Sequence, residues 1–326
     1  MSEGQVGIAF IGTGRVSENH FRALQRCEDG RLIGVFDIDR RRAEQCAQNW
    51  NTKTYETVNE VYLDRNVEAV FVLTPVEYHY KYTLKALEAG KHVLVEKPVS
   101  FDPLEIRRMA ETGEKAARAC VPGHNYIYLP QFARMRRLIE EGLLGQICHM
   151  EMKEIYFMPE TYIGHYHGVL GEVFCHPVYT MLYLLGSPSK VCGFATCFRS
   201  EKVPTGDEQV VVMAGFDSGP TASLMISWAF EDETSDPWTF KVKVLGTNGG
   251  SSFSRKDAVC GLKDSKPPWE YPMYDESFER EVDFFVTQCV KKGKIPPSTL
   301  EDAFQTVRVL DAIKKSISNG TVEVLN

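Results

Sequence analysis

Apolar and polar positions in the first third of the chain alternate between two textures. Short, nearly unbroken apolar runs occur at "VGIAFIG" (Val6–Gly12), "RLIGVF" (Arg31–Phe36), "VEAVFVL" (Val67–Leu73) and "KHVLVE" (Lys91–Glu96). Runs of that length predict strands. Between them, "VSENHFRALQRC" (Val16–Cys27), "RRRAEQCAQNW" and "YHYKYTLKALEAG" predict helices. A further helix is expected in "FDPLEIRRMAETGEKAARA" and a further strand in "CVPGHNY". Strand–helix alternation implies βαβ crossovers and a parallel sheet. Strands this apolar suit a sheet covered on both faces.

After roughly Gly145 the pattern changes. "QICHMEMKEIYF", "KVCGFATCF", "EQVVVMAGFD", "PTASLMISWAF" and "WTFKVKVLGT" follow one another with turn residues between them. Their partial alternation predicts a mostly antiparallel sheet with one face half-exposed. A single helix is expected over "GEVFCHPVYTMLYLLG" (Gly171–Gly186). Two more are expected in "SFEREVDFFVTQCVKKG" and "LEDAFQTVRVLDAIKKSISNG", the second closed at Gly320. The division expected is an α/β Rossmann-type domain over residues 1–124 and a second α/β domain over 125–326, with the last helix returning to the first.

Bulk properties narrow the field. With 326 residues the chain has room for two ordinary cores. It is 43% hydrophobic and 25% charged, and no apolar run approaches the ~20 residues of a membrane span. A net charge of −7 without a basic block argues against nucleic acid as a partner. "MSEGQVGIAFIG" has no basic segment followed by an apolar one, so no signal peptide is expected. Nine scattered cysteines without a C-x-x-C pair then predict reduced thiols in a cytoplasmic protein.

The first strand runs into Gly12-Thr13-Gly14 in "IAFIGTGRVSENH". Gly12 permits a tight turn, and Gly14 lets a pyrophosphate approach the helix N-terminus that Arg15 and Val16 open. The third glycine of the dinucleotide fingerprint is replaced by Ser17, which is still small. A glycine turn alone also suits a purely structural connection. Asp37 closes the second strand, twenty residues beyond Ser17. An acid about 20 residues on is expected to accept hydrogen bonds from the adenosine ribose, which favours NAD over NADP. Asp39 competes for that role. Arg40 either lies on a solvated helix face, covers the adenine, or admits NADP.

"GTGRVSENH", "FVLTPVEYHYKYTLKALEAGKHVLVEKPVS", "FKVKVLGTNGG" and "IPPSTLEDAFQTVRVLDAIKKS" resemble the glucose–fructose oxidoreductase, inositol dehydrogenase and rhizopine-catabolism family (Gfo/Idh/MocA). The resemblance spans essentially the whole chain. It implies an N-terminal Rossmann domain and a C-terminal domain with a large, open, mainly antiparallel sheet that binds substrate and mediates homodimers or homotetramers. It further implies NAD(P)-dependent oxidation of a sugar or cyclitol hydroxyl, or the reverse reduction. Thr74, Pro75 and His79 fall at the family's cofactor positions, and Glu96 near the nicotinamide ribose. Lys97 falls at the position that reaches the reacting oxygen, and the Lys97–Pro98 bond is expected to be cis.

Oxidising an alcohol requires handling a hydride and a proton, so a base must reach the hydroxyl and a cation should stabilise the developing charge. By the resemblance, His176 is the partner of Lys97. Glu172, four residues earlier, is expected on the same helix face to orient it. This chain departs from the family pattern D-x-G-x-H-x-x-D: Glu172, Phe174 and Tyr179 replace acid, glycine and acid. A more aromatic substrate pocket follows. Tyr156, His165, His167 and Tyr179 are expected along its rim, and Asn125 faces it from the last Rossmann strand. His165 and His167 lack a third ligand with metal spacing, so no metal is expected. Two other functions remain open: an NAD-dependent glycoside hydrolase working by transient oxidation, and a non-catalytic nucleotide sensor.

Overall fold

The computed structural model describes residues 4–159, 163, 168–199, 207–230, 240–254 and 272–325. Two compact units divide them. The first comprises Met1–Tyr128 and Asp275–Phe304, and the second Leu129–Tyr274 and Gln305–Asn326.

The first unit opens with β1 (Val6–Ile11), α1 (Arg15–Arg26), β2 (Gly30–Phe36), α2 (Arg40–Asn49) and β3 (Lys53–Thr54). It continues with α3 (Val58–Leu63), β4 (Ala69–Val72), α4 (His79–Glu88), β5 (His92–Val95), α5 (Pro103–Ala116) and β6 (Cys120–Pro122). The strands form one sheet ordered β3-β2-β1-β4-β5-β6 with every pair parallel. Strands β1 and β4 are buried at every position, as expected of a sheet covered on both faces. The chain leaves β1 toward β2 and later returns to β4 on its other side. That reversal opens a crevice at the carboxyl ends, where ligands of such sheets bind. The short β3 and α3 have too little periodicity to be visible in the sequence.

Residues 275–304 group with this unit rather than with the 125–326 stretch. The reason is aromatic packing. The ring of Phe278 sits edge-on to His20 at 5.0 Å, and that of Phe285 edge-on to Phe71 at 5.6 Å.

The second unit contains α6 (Pro130–Glu140), β7 (Ile147–Ile155), α7 (Gly168–Glu172), α8 (Cys175–Leu185), β8 (Lys190–Thr196), β9 (Gln209–Gly215), β10 (Thr221–Ser227), β11 (Phe240–Gly246) and β12 (Gly249–Ser254). Helix α9 (Pro272–Phe284), which from Asp275 on belongs to the first unit, runs on as a π-helical segment, Phe285–Val290. Helix α10 (Leu300–Asn319) and β13 (Glu323–Val324) close the chain, with Gly320 at φ +67° ending the helix as expected. The seven-stranded sheet is ordered β12-β11-β7-β10-β9-β8-β13. All its pairs are antiparallel except β10 with β7.

One face of this sheet is core: Met150, Met152, Val210, Val212, Leu224, Ile226, Val242 and Val244 are buried. Helix α8 lies against β7 and β10, and α10 meets β8 where Ser316 Oγ accepts from the Gly193 amide at 3.0 Å. The opposite face is open, with Phe194, Met213 and Leu245 exposed. No helix among the described residues is long and apolar enough to cross a membrane.

Candidate active site

In the first unit a cavity of about 350 Å³ lies at the carboxyl ends of β1, β2 and β4. Gly12, Gly14, Arg15, Val16, Asp37, Arg42, Thr74, Pro75 and Tyr78 border it. Gly12 has φ +97°, and a Cβ there would lie 2.7 Å from the Leu73 carbonyl. Only glycine can take that turn from β1 into α1, packed against the end of β4. At Gly14 a Cβ would meet nothing, so the backbone faces open space. Gly14 is also the N-cap of α1 and supplies no side-chain cap. The amides of the first turn, with the positive end of the helix dipole, therefore point where an anionic group can be held. Ser17, at the third fingerprint position, is buried and turns its hydroxyl to the Gly14 carbonyl at 2.5 Å.

Asp37 secures this turn. Its Oδ2 accepts from the Thr13 amide at 2.8 Å and from the Thr13 hydroxyl at 2.9 Å, while Oδ1 accepts from the Asp39 amide at 2.9 Å. Asp39 is the N-cap of α2, its side chain accepting from the Arg42 amide. Of the three arginines, Arg42 borders the cavity, with Nη1 3.9 Å from Asp37. Arg40 borders a neighbouring hollow and is bound to Glu44 at 2.7 Å and Glu56 at 2.6 Å. Sequence reasoning singled out Arg40 and not Arg42 from this arginine run, and missed Ile38, Tyr78 and Tyr82 on the cavity wall. Ile38 is 77% exposed on this wall.

Donors and acceptors here fit a dinucleotide. An uncapped helix N-terminus suits the pyrophosphate, Asp37 a ribose, and Ile38 and Tyr78 a flat ring. Thr74 Oγ1 is buried at the cavity edge without a hydrogen-bond partner among the described residues. A roomier groove bordered by Arg107, Arg118, Lys294 and Phe304 lies at the amino ends of β5 and β6, opposite the ligand end of such a sheet.

Strand β5 delivers Glu96 and Lys97 to the carboxyl edge. The Lys97–Pro98 bond is cis. Glu96 is 5% exposed and turned inward: Oε1 meets His20 Nε2 at 2.8 Å and Oε2 accepts from the Lys97 amide at 2.9 Å. Burial pushes the Glu96 pKa up, but the His20 hydrogen bond and the charges of His20 and Lys97 outweigh it and hold the carboxyl below its usual value. Lys97 itself is half-buried. His79, expected at the cofactor, is buried with both ring nitrogens against backbone carbonyls, Pro98 at 2.8 Å and Thr74 at 2.7 Å.

Asn125 is buried and donates to Ser277 Oγ at 2.8 Å, on α9. His124, unremarked in the sequence, meets Ser298 Oγ at 2.7 Å, and burial drives its pKa down to about 3. Glu281 was likewise unremarked. It is fully buried, and burial followed by the charge of Glu96 raises its pKa well above the usual value.

In the second unit the single helix expected over Gly171–Gly186 is broken. Helix α7 ends at Glu172 and α8 begins at Cys175. Pro177 explains this: it has no N–H to continue a helix but is tolerated in a first turn. Glu172 and His176 therefore do not share one continuous helix face. His176 Nδ1 instead meets the Tyr179 hydroxyl at 2.6 Å, both side chains buried and their rings edge-on at 5.4 Å. Phe174 is fully buried. Tyr156 is buried too, its amide bound to the Ser227 carbonyl at 3.0 Å. His165 and His167 lie outside the described residues.

Asp207, unremarked in the sequence, accepts from the Leu170 amide at 2.7 Å and so anchors α7. Glu208 beside it is fully buried and binds Arg199, whose guanidinium also donates to the carbonyls of Met158 and Trp228. No cluster of three metal-ligating side chains occurs among the described residues.

Residues 6–124 match the oxidoreductase family described as having an NAD-binding Rossmann fold, and residues 132–252 match the GFO/IDH/MocA C-terminal domain. The chain is 27% identical to a scyllo-inositol 2-dehydrogenase (NAD(+)) of Bacillus subtilis, over 98% of this chain and 96% of that one. A crystal structure of GenD2 from gentamicin A biosynthesis in complex with NAD superposes with a TM-score of 0.87 at 22% identity, covering 100% of this chain and 98% of the other. A putative myo-inositol dehydrogenase from Sinorhizobium meliloti superposes at 0.86 with 21% identity, covering 99% and 100%. With a Rossmann cavity built for a dinucleotide and both family domains matched in order, this chain belongs to the GFO/IDH/MocA family of NAD-binding oxidoreductases.

Proposed function

We propose that the protein is an NAD-dependent dehydrogenase or reductase acting on a ring hydroxyl, or the corresponding ketone, of a cyclitol or sugar. The observation that carries this reading is the Asp37-tied glycine turn at the uncapped end of α1, in a chain that aligns end to end with an inositol dehydrogenase. NAD supplies hydride chemistry when bound. Gly12, Thr13, Gly14, Arg15 and Val16 hold its pyrophosphate, Asp37 its adenosine ribose, and Thr74 and Pro75 the crevice edge. NADP fits less well, because a 2′-phosphate would meet the Asp37 carboxylate. Arg42 offsets part of that repulsion.

The chain's own chemistry concerns the proton. Lys97 is the cation that stabilises charge developing on the substrate oxygen. His176 is the base. In the tautomer that donates from Nδ1 to the Tyr179 oxygen, the lone pair lies on Nε2, which accepts the hydroxyl proton. Tyr179 thus orients the imidazole with a neutral phenol, and Glu172 contributes through its negative charge. Substrate hydroxyls are recognised by Tyr156, His165, His167 and Asn125.

A homo-oligomer forms through the open face of the second sheet. Register puts Phe194 beside Val211 and Val211 beside Met225, and Cys192 beside Met213. A contiguous apolar patch on an otherwise charged face is suited to a second copy of the chain.

The test is a panel of cyclitols and sugars with NAD and with NADP, followed at the nicotinamide absorbance. Steady turnover with NAD supports the reading. Cleavage of an aryl glycoside with no net cofactor reduction overturns it in favour of the hydrolase, and cofactor binding with no reaction in favour of a sensor.

A further inference from the structure

His79 presents a hydrogen-bonding conflict that the proposed chemistry does not use. Its ring is 1% exposed, with Nδ1 2.8 Å from the Pro98 carbonyl and Nε2 2.7 Å from the Thr74 carbonyl. Both partners are acceptors only. A neutral imidazole carries one N–H and can satisfy one of them, and its other nitrogen would then point a lone pair at a carbonyl oxygen. Donation at both distances requires both nitrogens to be protonated. Burial opposes this and holds the ring's pKa below its ordinary value, outweighing the carbonyls of Pro98, Thr74 and Val99 and the carboxylate of Glu96, which act the other way. The charged form therefore rests on geometry alone. The two short contacts at opposite corners of one ring favour the charged form.

A counter-charge exists. Glu96, at the end of β5, is the anion that acts on His79. Around Glu96 lie His20 from α1, Lys97 next in the chain, His124 after β6 and Glu281 from α9. Burial leaves His124 neutral and Glu281 protonated, so Glu96 supplies the negative charge of the cluster.

We propose that His79 is a buried imidazolium tie: donating from both ring nitrogens, it locks the Thr74–Pro75 turn at the cofactor cavity to the Pro98–Val99 turn that follows Lys97. It is a positioning residue. It touches neither cofactor nor substrate, and it sets where Lys97 stands relative to the cavity edge. The functional consequence rests on the reading of Lys97 given above. The charge state does not, and is measured without cofactor or substrate.

The test is nitrogen-15 NMR of the histidine rings in the wild-type protein, with His79 assigned by its loss in His79→Gln. If that variant does not fold, through-bond transfer from the sequentially assigned His79 backbone to its ring supplies the assignment. Two protonated ring nitrogens at neutral pH are expected. One bare nitrogen at neutral pH overturns the proposal. His79→Gln offers donors to one carbonyl only. It is expected to weaken NAD binding at least severalfold by fluorescence titration and to lower kcat more than it raises substrate KM. A variant with wild-type NAD affinity and kcat but reduced stability also overturns the positioning role.

Discussion

Glu281 lies fully buried beside the carboxylate of Glu96, and neither of its oxygens has a hydrogen-bond partner among the described residues. Two carboxyls in one apolar interior do not both ionise. Glu96 accepts from His20 and from the Lys97 amide, so it takes the charge and Glu281 keeps the proton. Its folded pKa stands well above the ordinary 4.5, so folding retains a proton that the unfolded chain releases. That contribution is complete below the ordinary carboxylate value and is lost as pH rises toward the folded one. Glu281→Gln removes the titration while keeping the shape. Urea midpoints measured from about pH 5 to about pH 9 should fall more steeply for wild type than for Glu281→Gln. Parallel profiles would show Glu281 ionised in the folded state.

Lys97→Ala should lower kcat by about 10²–10³-fold, the range of a lost charge-stabilising group. NAD affinity should change little, because the cavity is bordered by other residues. Stopped-flow hydride transfer and a cofactor titration separate the two effects. An essentially unchanged kcat would remove Lys97 as the stabiliser of charge on the substrate oxygen.

Tyr179→Phe deletes the hydroxyl that meets His176 Nδ1 and leaves the ring in place. A fall in kcat with nearly constant substrate KM is expected, with the acidic limb of the pH profile displaced. A rise in KM alone would make Tyr179 a substrate contact and not an orienting group.

Asp37→Ala withdraws three hydrogen bonds from the turn, two to Thr13 and one to the Asp39 amide. Bonds to a charged group are worth ~1.5–3 kcal/mol each, so NAD affinity should drop by roughly tenfold or more. NADP should lose less, since the same change removes repulsion of the 2′-phosphate. A competition titration of the two cofactors reads the ratio.

Met213→Glu places a charge within the open apolar face, near Cys192 and Ser223 of the neighbouring strands. The single unit should stay folded, because Met213 is 46% exposed. Sedimentation should show a smaller species than wild type at equal concentration. An unchanged mass would exclude this face from the assembly.

The strand end that carries Lys97, and its cis bond to Pro98, are legible in the amino-acid sequence, because "LVEKPVS" joins an apolar strand to a charged pair and a proline. Gly12 and Asp37 are legible for a similar reason: a strand end, a glycine turn and an acid at fixed spacing carry their meaning locally. The helix break before His176 is also written in the chain, at Pro177, although the apolar run around it suggests one continuous helix.

By itself the sequence determined what depends on neighbours along the chain: the βαβ alternation, the glycine turn, the strand that ends on Glu96 and Lys97, and the family to which these belong. Tertiary structure decided what depends on residues far apart in the chain. Glu96 faces His20 across 76 positions, and His124 meets Ser298 across 174. Glu281 reaches Glu96 because aromatic packing of Phe278 and Phe285 draws α9 onto the first sheet. Charge states follow from such meetings. A carboxyl's pKa is set by burial and by the charges around it, and hydrophobic periodicity reports only which side of a helix or strand is buried.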